Sequence, residues 1–479
     1  MDLTSKNFFT LGRECIVHML AKKSIGELAP LVRKKEISPV EIMKDVLEEI
    51  NNKNGYIRAY IRVEHEEAIR NARQAEKEIV DGNYKGPLHG IPIGLKDIFY
   101  IKGKKVTVGS KIHKDFIPKY DATIVKKLLE KGVMFTGSLN MHEYAFGVTT
   151  TNPYYGVCRN PWDPSRIPGG SSGGSAAAVS ADMAIASIGT ETGGSLRGPA
   201  AFCGVVTIKP TYGRISKYGC FPLARTLDHI GPITKTVDDA ALLFQQLAGY
   251  DPFDMDSVDM PEISSLNIKG EMRDVVIGID EKNFFSDVDH EIAIKVKNVV
   301  LSLEYMGAKI VPIEFDTFKY IPDTYAKTVS SEASVLHEKN LKERPNDFGD
   351  DVRARLQAGK QVTASEYIHA QHRRQAIRHE FREIFKKVDV IVAPTVPFIA
   401  PEIGEDDVLL NGRKVNVYEL GSKFIRPATL IGFPAMSVPC GWSKGLPIGV
   451  QIMGAPFQEE KILNVGKAIE SLDLMNRFR

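Results

Sequence analysis

The sequence predicts an α/β protein built on a large, mainly parallel mixed β-sheet that helices cover on both faces. From Gly90 onward, short apolar segments with the length of buried strands alternate with longer segments of helical periodicity. This alternation favours parallel pairing, because each helix carries the chain back across the sheet to the next strand. Hydrophobic residues make up 43% of the 479 residues and charged residues 25%, as in globular proteins with a buried core.

Residues 1–82 are predicted to form a helical N-terminal region. Ser38-Pro39-Val40-Glu41 is a capping box with proline at the first helical position, and apolar residues follow it at helical spacing. A further helix is expected over Glu64–Val80 and ends before Gly82. Residues 1–20 lack the pattern of a signal peptide, and the sequence assigns them no purpose.

Residues 83–250 are predicted to alternate strands with helices. The expected strands are Ile91–Leu95, Val133–Thr136, Ile185–Gly189 and Val205–Ile208. The expected helices are Ala122–Glu130, a small-residue helix after Ser175, a helix that begins at Gly193, and Ala240–Ala248, which Thr236 caps.

Residues 251–479 continue this pattern after a polar loop over Asp251–Lys269. A β-α-β unit is expected at Val275–Ile279, His290–Met306 and Lys309–Phe315. The remaining predictions are a helix at Ala364–Lys387, a strand at Asp389–Ala393, apolar stretches at Thr429–Val438 and Ile448–Met453, and a C-terminal helix. No change in composition marks a boundary, so we expect a single domain over residues 1–479.

Charge and cysteine content argue against several classes of protein. The 62 basic and 60 acidic residues give a formal charge of +2 without a basic stripe, so a direct nucleic-acid ligand is not expected. Five cysteines without C-x-x-C spacing indicate reduced thiols and a cytoplasmic protein. No apolar stretch approaches the roughly 20 residues that span a bilayer, so no membrane association is expected.

Two glycine–serine clusters between Pro168 and Gly204 are the most informative feature of the sequence. Ser171 lies in Pro-Gly-Gly-Ser-Ser-Gly-Gly-Ser, and Ser195 lies in Gly-Thr-Glu-Thr-Gly-Gly-Ser-Leu-Arg-Gly-Pro-Ala. A linker would be polar throughout, but each cluster leads into an apolar, alanine-rich segment. Such clusters place hydroxyls and backbone N–H groups at helix starts, where negative charge is stabilised.

A serine hydroxyl needs a base to become a nucleophile, and Lys96 is the candidate base. Lysine has a pKa of about 10.4, so it acts as a base near neutral pH only where burial lowers that pKa. The apolar segment Ile91–Leu95 directly before Lys96 could supply the burial. The residues alone leave a second interpretation equally open, in which Lys96 forms an ion pair with Asp97 or another carboxylate.

Other catalytic and cofactor patterns fit less well. Gly170–Gly174 matches the G-x-S-x-G motif of α/β-hydrolases, but that fold needs a late histidine, and the last one here is His379 on a basic helix. No G-x-x-x-x-G-K-[ST] motif occurs, neither glycine cluster fits G-x-G-x-x-G, and no histidine pair has ligand spacing with a supporting carboxylate. We therefore expect no metal and no cofactor.

Longer motifs resemble the amidase signature family, in order and over most of the chain. They are Gly90–Asp97, Gly137–Glu143, Arg159–Asp163, Pro168–Gly204, Lys209–Arg214, Leu227–Pro232 and Gly432–Pro439. The resemblance implies the large mixed sheet of that family and a Ser–cis-Ser–Lys triad that cleaves an amide through an acyl-enzyme. Residues 83–250 would then be the catalytic core, and residues 251–479 would complete the pocket.

The resemblance also implies roles for individual residues. Lys96 is the base, Ser171 is the bridging serine after a cis peptide bond, and Ser195 is the nucleophile. The oxyanion hole is implied to consist of backbone N–H groups of Thr192, Gly193, Gly194 and Ser195. The implied substrate contacts are Ala145, Phe146, Gly147 and Ser171. The supporting residues are Ser172, Arg197 and Asp228, although a purely structural ion pair fits Arg197 and Asp228 equally well.

Within this family the sequence favours a stand-alone amidase, which converts a carboxylic acid amide to the acid and ammonia or an amine. The family also includes the glutaminase (A) subunit of the glutamyl-tRNA(Gln)/aspartyl-tRNA(Asn) amidotransferase. The sequence differs from that subunit in three places: Gly198, Thr328–His337, and Ser422, which replaces the aspartate that holds the glutamine ammonium group. A buried, unpaired ammonium group costs several kcal/mol. That subunit is therefore the alternative, and a non-catalytic binding protein on the same fold is the second alternative.

The expected partners follow from the stand-alone interpretation. We expect a small-molecule amide as substrate, no direct nucleic acid, no membrane, and the homodimer that the family suggests. The acyl group stays open, as does cleavage of esters or nitriles. An apolar or aromatic acyl group is the first expectation, because the sequence shows no obvious charge for the far end of the substrate.

Overall fold

The computed structural model describes residues 19–475, so the expectations for residues 1–18 lie outside the described part of the chain. The strands in chain order are β1 (Tyr60–Val63), β2 (Pro92–Lys96), β3 (Met134–Leu139), β4 (Thr151–Asn152), β5 (Gly156–Val157), β6 (Ala186–Glu191), β7 (Val206–Lys209), β8 (His229–Thr234), β9 (Val276–Ile279), β10 (Lys309–Pro312), β11 (Val390–Pro394), β12 (Asp407–Leu410), β13 (Arg413–Asn416), β14 (Ala435–Ser443) and β15 (Leu446–Gly454).

One large sheet joins strands from both halves of the sequence. Its order is β1-β3-β2-β6-β8-β7-β14-β15-β11-β9-β10, while β4 pairs with β5 and β12 with β13 in two hairpins. Parallel pairs join β2 to β3 and β6, and β9 to β10 and β11. Antiparallel pairs connect these groups through β8, β7, β14 and β15. The predicted large mixed sheet covered by helices is confirmed.

The helices account for most of the remaining regular structure. They are α1 (Ile25–Arg33), α2 (Pro39–Ile57), α3 (His65–Val80), α4 (Thr123–Glu130), α5 (Gly173–Ser180), α6 (Arg197–Cys203), α7 (Val237–Leu247), α8 (Glu281–Phe284), α9 (His290–Tyr305), α10 (Ile321–Leu336), α11 (Glu338–Glu343), α12 (Asp350–Gly359), α13 (Ala364–Ile384), α14 (Val417–Gly421), α15 (Arg426–Ile431) and α16 (Glu459–Ser471). No helix in the range 19–475 is long and apolar enough to cross a membrane.

Side-chain caps begin several of these helices where the sequence predicts them. The Ser38 hydroxyl accepts a hydrogen bond from the Val40 backbone N–H at 2.9 Å, and Glu41 completes the capping box of α2. The Thr236 hydroxyl accepts from the Asp239 backbone N–H at 3.2 Å at the start of α7. Both predicted caps are confirmed, although α7 begins at Val237 rather than at Ala240.

Two differences from the predicted elements lie close to the second glycine cluster. The helix predicted from Gly193 begins only at Arg197, because the buried Glu191 carboxylate accepts hydrogen bonds from the backbone N–H groups of Leu196 and Arg197. Residues 192–196 therefore form a loop. Strand β8 was not predicted, since Pro232 lies inside it and proline is rare in central strands.

The sheet brings the two glycine clusters and Lys96 to one edge. Strands β2 and β6 are parallel neighbours, with Ile93 opposite Ala186 and Leu95 opposite Ile188. Their carboxyl ends, Lys96 and Glu191, therefore lie side by side. In open α/β sheets this edge is where ligands bind.

Candidate active site

Lys96 lies at the end of β2 with its side chain buried; the residue is 1% exposed. Its Nζ atom lies 2.7 Å from the Ser171 hydroxyl, 3.0 Å from the Ser172 hydroxyl and 2.7 Å from the Thr190 hydroxyl. It forms no ion pair with Asp97, whose carboxylate accepts from the Thr107 backbone N–H at 2.9 Å instead. The structure therefore surrounds the amine with hydroxyl groups.

This environment lowers the pKa of Lys96 to about 7. Burial is the main cause, because it disfavours the charged ammonium form, and the negative potential of Asp228 and Glu191 offsets only part of it. A large fraction of the amine is thus neutral at neutral pH and able to accept a proton.

The first glycine cluster forms a tightly packed turn before α5. The Gly170–Ser171 peptide bond is cis. A Cβ atom at Gly170 would lie 2.7 Å from the Thr149 backbone nitrogen, so a larger residue does not fit there. The Ser172 hydroxyl donates to the Thr190 carbonyl at 3.0 Å, which ties this turn to β6.

The second cluster forms the loop 192–196 that carries Ser195. The Ser172 backbone N–H donates to the Ser195 carbonyl at 3.3 Å and holds the two clusters together. Within the described part of the chain, no group accepts a hydrogen bond from the backbone N–H groups of Gly193, Gly194 and Ser195. Free N–H groups beside a serine are suited to bind the oxygen of a polarised carbonyl.

A buried ion pair supports this loop, and the sequence analysis did not single out its carboxylate. The guanidinium of Arg197 contacts Glu191 at 2.5 Å, and it also donates to Gln451 at 2.8 Å and to Thr429 at 3.0 Å. Burial alone would raise the pKa of Glu191, but the Arg197 charge holds it below its ordinary value. The pair fixes the end of β6 and the start of α6.

Asp228 supports the loop from another direction and does not pair with Arg197. Its carboxylate accepts from the Thr192 hydroxyl at 2.6 Å and from the Leu223 backbone N–H at 2.9 Å. Burial raises the pKa of Asp228 above its ordinary value. Arg197 and Asp228 therefore act on the loop through separate contacts.

Comparison with known proteins agrees with these motifs. A family model described as Amidase matches residues 41–463. The chain belongs to the amidase signature family. It is 41% identical over 482 residues to the glutamyl-tRNA(Gln) amidotransferase A subunit of Thermodesulfovibrio yellowstonii, covering 94% of this chain and 97% of the relative. Further bacterial relatives with that name are 36–38% identical.

Solved structures show the same fold. A crystal structure of an amidase matches with a TM-score of 0.87 and 33% identity, over 94% of this chain and 100% of that one. The glutamyl-tRNA(Gln) amidotransferase A subunit of Thermotoga maritima matches with a TM-score of 0.79 and 35% identity, over 94% and 95% of the two chains. As a member of this family, the chain is an amidase, a hydrolase that acts on amide C–N bonds.

These relatives overturn two predictions. The preference for a stand-alone amidase is wrong, because relatives similar over nearly the whole chain are named as the A subunit of an amidotransferase. The expected set of partners, limited to a small-molecule amide and a second copy of the chain, is wrong for the same reason, because the name of these relatives denotes one subunit of an amidotransferase of glutamyl-tRNA(Gln). The differences at Gly198 and Ser422 favoured the wrong function because each concerns a single residue, whereas the similarity to the amidotransferase A subunits extends along nearly the whole chain.

A pocket lined largely by glycine, the glycine-lined pocket, opens beside the loop 192–196. Its lining comprises Val148, Gly169, Gly170, Gly193, Gly194, Gly198, Phe202, Phe398, Val417, Gly421, Ser422 and Ile425. Gly198 and Ser422 are therefore pocket residues. The predicted contacts Phe146 and Gly147 are absent from this lining, and the Phe146 carbonyl accepts from Arg355 at 2.7 Å.

A second cavity of about 260 Å³ begins on the Thr192 side of the same loop. Thr190, Thr192 and Asp228 line its inner end, together with the predicted contact Ala145. Phe253 and Met255 line its outer part and are 65% and 80% exposed. Among the described residues, no group of three or more histidine, cysteine, aspartate or glutamate side chains is placed to hold a metal ion.

Proposed function

We propose that this chain is the glutaminase (A) subunit of a glutamyl-tRNA(Gln)/aspartyl-tRNA(Asn) amidotransferase. It would release ammonia from the carboxamide of glutamine, and partner subunits would transfer that ammonia to the tRNA-linked carboxylate. The observation that carries the proposal is the full-length similarity to relatives named as this subunit. A role in modifying aminoacyl-tRNA would also make the protein cytoplasmic.

The proposed chemistry uses the hydroxyl relay around Lys96. Neutral Lys96 takes the proton of Ser171, Ser171 takes the proton of Ser195, and the Ser195 oxygen bonds to the amide carbon. The 2.7 Å contact between Lys96 Nζ and the Ser171 hydroxyl supports the first transfer. The displaced electron pair rests on the carbonyl oxygen, which the free N–H groups of residues 193–195 stabilise, with Thr192 as the further predicted contributor.

The relay then runs in reverse. Lys96 returns its proton through Ser171 to the amide nitrogen, the C–N bond breaks, and ammonia leaves with both hydrogens it had and the added proton. A water molecule attacks the carbonyl carbon of the acyl-enzyme ester and gives one proton to the relay. The bond between that carbon and the Ser195 oxygen then breaks, the relay returns the proton to the Ser195 oxygen, and glutamate leaves. The second cavity, which reaches Thr190 and Thr192, supports a separate exit for ammonia.

Ammonia release from glutamine tests this proposal. Ser195→Ala is expected to lower kcat by roughly 1,000-fold or more, because no other group can form the acyl-enzyme. Ser180→Ala is the matched control, since its hydroxyl only donates to the Cys203 carbonyl on a nearby helix. The assay uses the purified chain and the chain together with its partner subunits.

Two results would refute the proposal. One is glutamine hydrolysis that survives in Ser195→Ala. The other is a folded wild-type chain that leaves glutamine intact even with partner subunits present. In that second case, failure of a serine-directed covalent probe to label Ser195 would favour the non-catalytic alternative.

A further inference from the structure

A segment of the chain outside the relay packs directly on the turn that carries Ser171. Residues 142–150, the bracing segment, lie between β3 and β4. The His142 backbone N–H donates to the Ser171 carbonyl at 3.1 Å. At the other end, the Thr150 hydroxyl donates to the Gly169 carbonyl at 2.8 Å. The bracing segment therefore holds the turn at two points.

The backbone conformation of the bracing segment needs support from outside the segment. Tyr144, Ala145 and Thr150 have φ angles of 51°, 59° and 58°, in the left-handed region that residues other than glycine disfavour. The segment also lies in close contact with the turn, because a Cβ atom at Gly170 would lie 2.7–2.9 Å from backbone atoms of residues 148–150. Any shift of the segment therefore displaces the turn.

Helix α12, from the second half of the chain, supports the bracing segment through a carboxylate. Nε2 of His142 lies 2.9 Å from Oδ2 of Asp351, in the first turn of α12. The His142 ring is 3% exposed and lies against Gly147, where a Cβ atom would be 2.2 Å from Nε2. Beside it, the buried Glu143 carboxylate accepts from the backbone N–H of Gly349, directly before α12, at 2.7 Å. The start of α12 is thus fixed to the segment by two polar contacts.

The same carboxylate is connected to a further point of the bracing segment through Arg355. This arginine lies one turn along α12, donates to Asp351 at 2.6 Å and donates to the Phe146 carbonyl at 2.7 Å. Burial would raise the pKa of the Asp351 carboxyl, but the contacts with His142 and Arg355 hold that pKa well below its ordinary value. The carboxylate is therefore ionised at neutral pH and accepts a hydrogen bond from Nε2 of His142.

We propose that Asp351 is a positioning residue for the relay: through His142 it holds the bracing segment against the turn and thereby keeps the Ser171 hydroxyl in place. The carboxylate acts through His142 rather than on the reacting atoms. The inference rests on the relay of the proposed function but not on glutamine as the amide donor. Its consequence is that loss of the Asp351 charge slows the reaction and leaves substrate binding largely unchanged.

Labelling of Ser195 by a fluorophosphonate tests the inference without an amide donor, because its rate depends on removal of the hydroxyl proton. Asp351→Asn should lower the labelling rate by about 10- to 100-fold, the usual effect of a small misplacement of catalytic groups. His142→Phe, which keeps a ring against Gly147, should lower it by a similar factor. The double variant should be no slower than the slower single variant, because both substitutions break the same connection.

Hydrolysis of glutamine, with partner subunits present, separates positioning from binding. Asp351→Asn should lower kcat by the same factor as the labelling rate and change KM by less than about threefold. Urea unfolding gives the folded fraction of each variant, so that all rates refer to folded protein.

Asp350→Asn is the matched control, one residue earlier in α12. The Asp350 carboxylate pairs with Arg353 of the same helix at 2.7 Å, and 91% of its side chain is exposed. Both variants remove one negative charge from the first turn of α12, so both lose the same kind of interaction with the helix N-terminus. Ser195 in Asp350→Asn should be labelled at the wild-type rate.

Four results would overturn the inference: wild-type labelling in Asp351→Asn, equal slowing in Asp351→Asn and Asp350→Asn, a double variant whose loss is the product of the two single losses, or rates that return to wild type once they refer to folded protein. Failure of the proposed function looks different. In that case glutamine is not hydrolysed even with partner subunits present, but labelling of Ser195 is still slowed in Asp351→Asn and His142→Phe.

Discussion

Among single residues, Lys96 has the environment with the clearest consequence for activity. Its pKa is lowered to about 7, mainly by burial. The relay needs the neutral amine, which is scarce below that pKa and dominant above it. We therefore expect kcat/KM for glutamine to be low in acid, to rise through a midpoint near pH 7 and then to level off. Rates measured from about pH 5.5 to about pH 8.5 check this profile.

A second buried lysine, Lys209, provides the control for this assignment. Burial also lowers the pKa of Lys209 to about 7, but its Nζ donates to the carbonyls of Pro210 and Phe433, away from the serines. Lys209→Met should keep the midpoint, whereas Lys96→Arg should be inactive throughout, because arginine stays charged. If the midpoint disappeared in Lys209→Met but survived in Lys96→Arg, the titrating group would be Lys209 and the assignment to Lys96 would be wrong.

The sequence predicted that Lys96 is buried but did not predict which groups contact its amine. Burial of Lys96 follows from the apolar segment before it, but sequence alone left an ion pair with Asp97 equally open. The folded sheet decides between burial and the ion pair, because it brings Thr190 of β6 and Ser171 of a distant turn to the Lys96 amine. Glu191 was missed, since nothing in a strand-end glutamate reveals that its partner is Arg197 on the following helix.

At the scale of elements, the buried pair Glu191–Arg197 joins β6 to α6 and, through Thr429, to α15. Glu191→Gln leaves the Arg197 charge buried without a counter-ion. We expect this substitution to lower the free energy of unfolding by about 3 to 5 kcal/mol. Because the pKa of Glu191 is lowered in the folded protein, its stabilising effect is present at neutral pH and is lost as the pH falls. Urea unfolding of the wild-type protein and of Glu191→Gln at neutral pH measures this difference in the free energy of unfolding.

An exposed pair serves as the comparison for this measurement. Lys467 contacts Asp238 at 2.6 Å, with 31% and 58% of the two side chains exposed. Asp238→Asn should cost less than about 1 kcal/mol, because solvent screens exposed charges. Similar losses in both variants would mean that Glu191 contributes packing rather than charge.

Element positions were predictable where local patterns set them. The caps at Ser38 and Thr236 use residues within the first turn of the same helix. The sequence therefore predicts α2 and α7 without tertiary information. Strand β8 was not, because Pro232 contradicts the local strand pattern and the strand is stabilised by its neighbours β6 and β7. The start of α6 at Arg197 depends on contacts with Glu191, so the local sequence pattern did not predict it either.

At the scale of the whole molecule, the sequence motifs identified the family but not the assembly. The chain is similar over nearly its whole length both to a protein described as an amidase and to amidotransferase A subunits, so overall similarity in fold does not separate the two. Single departures such as Ser422 therefore say more about the pocket than about the partners.

The sheet topology makes a prediction about cooperativity that also tests the expected single domain. Strand β7 from the first half of the chain pairs with β14 from the second, and Trp162 packs against Trp442 with ring centroids 4.6 Å apart. Because the halves share one sheet, we expect a single unfolding transition in urea. Far-UV circular dichroism and tryptophan fluorescence should give coincident curves, including in Trp162→Phe and Trp442→Phe, which each leave one tryptophan to report on one half. If the two single-tryptophan variants reported separate midpoints, the halves would be independent domains, with a boundary in the loop Asp251–Lys269.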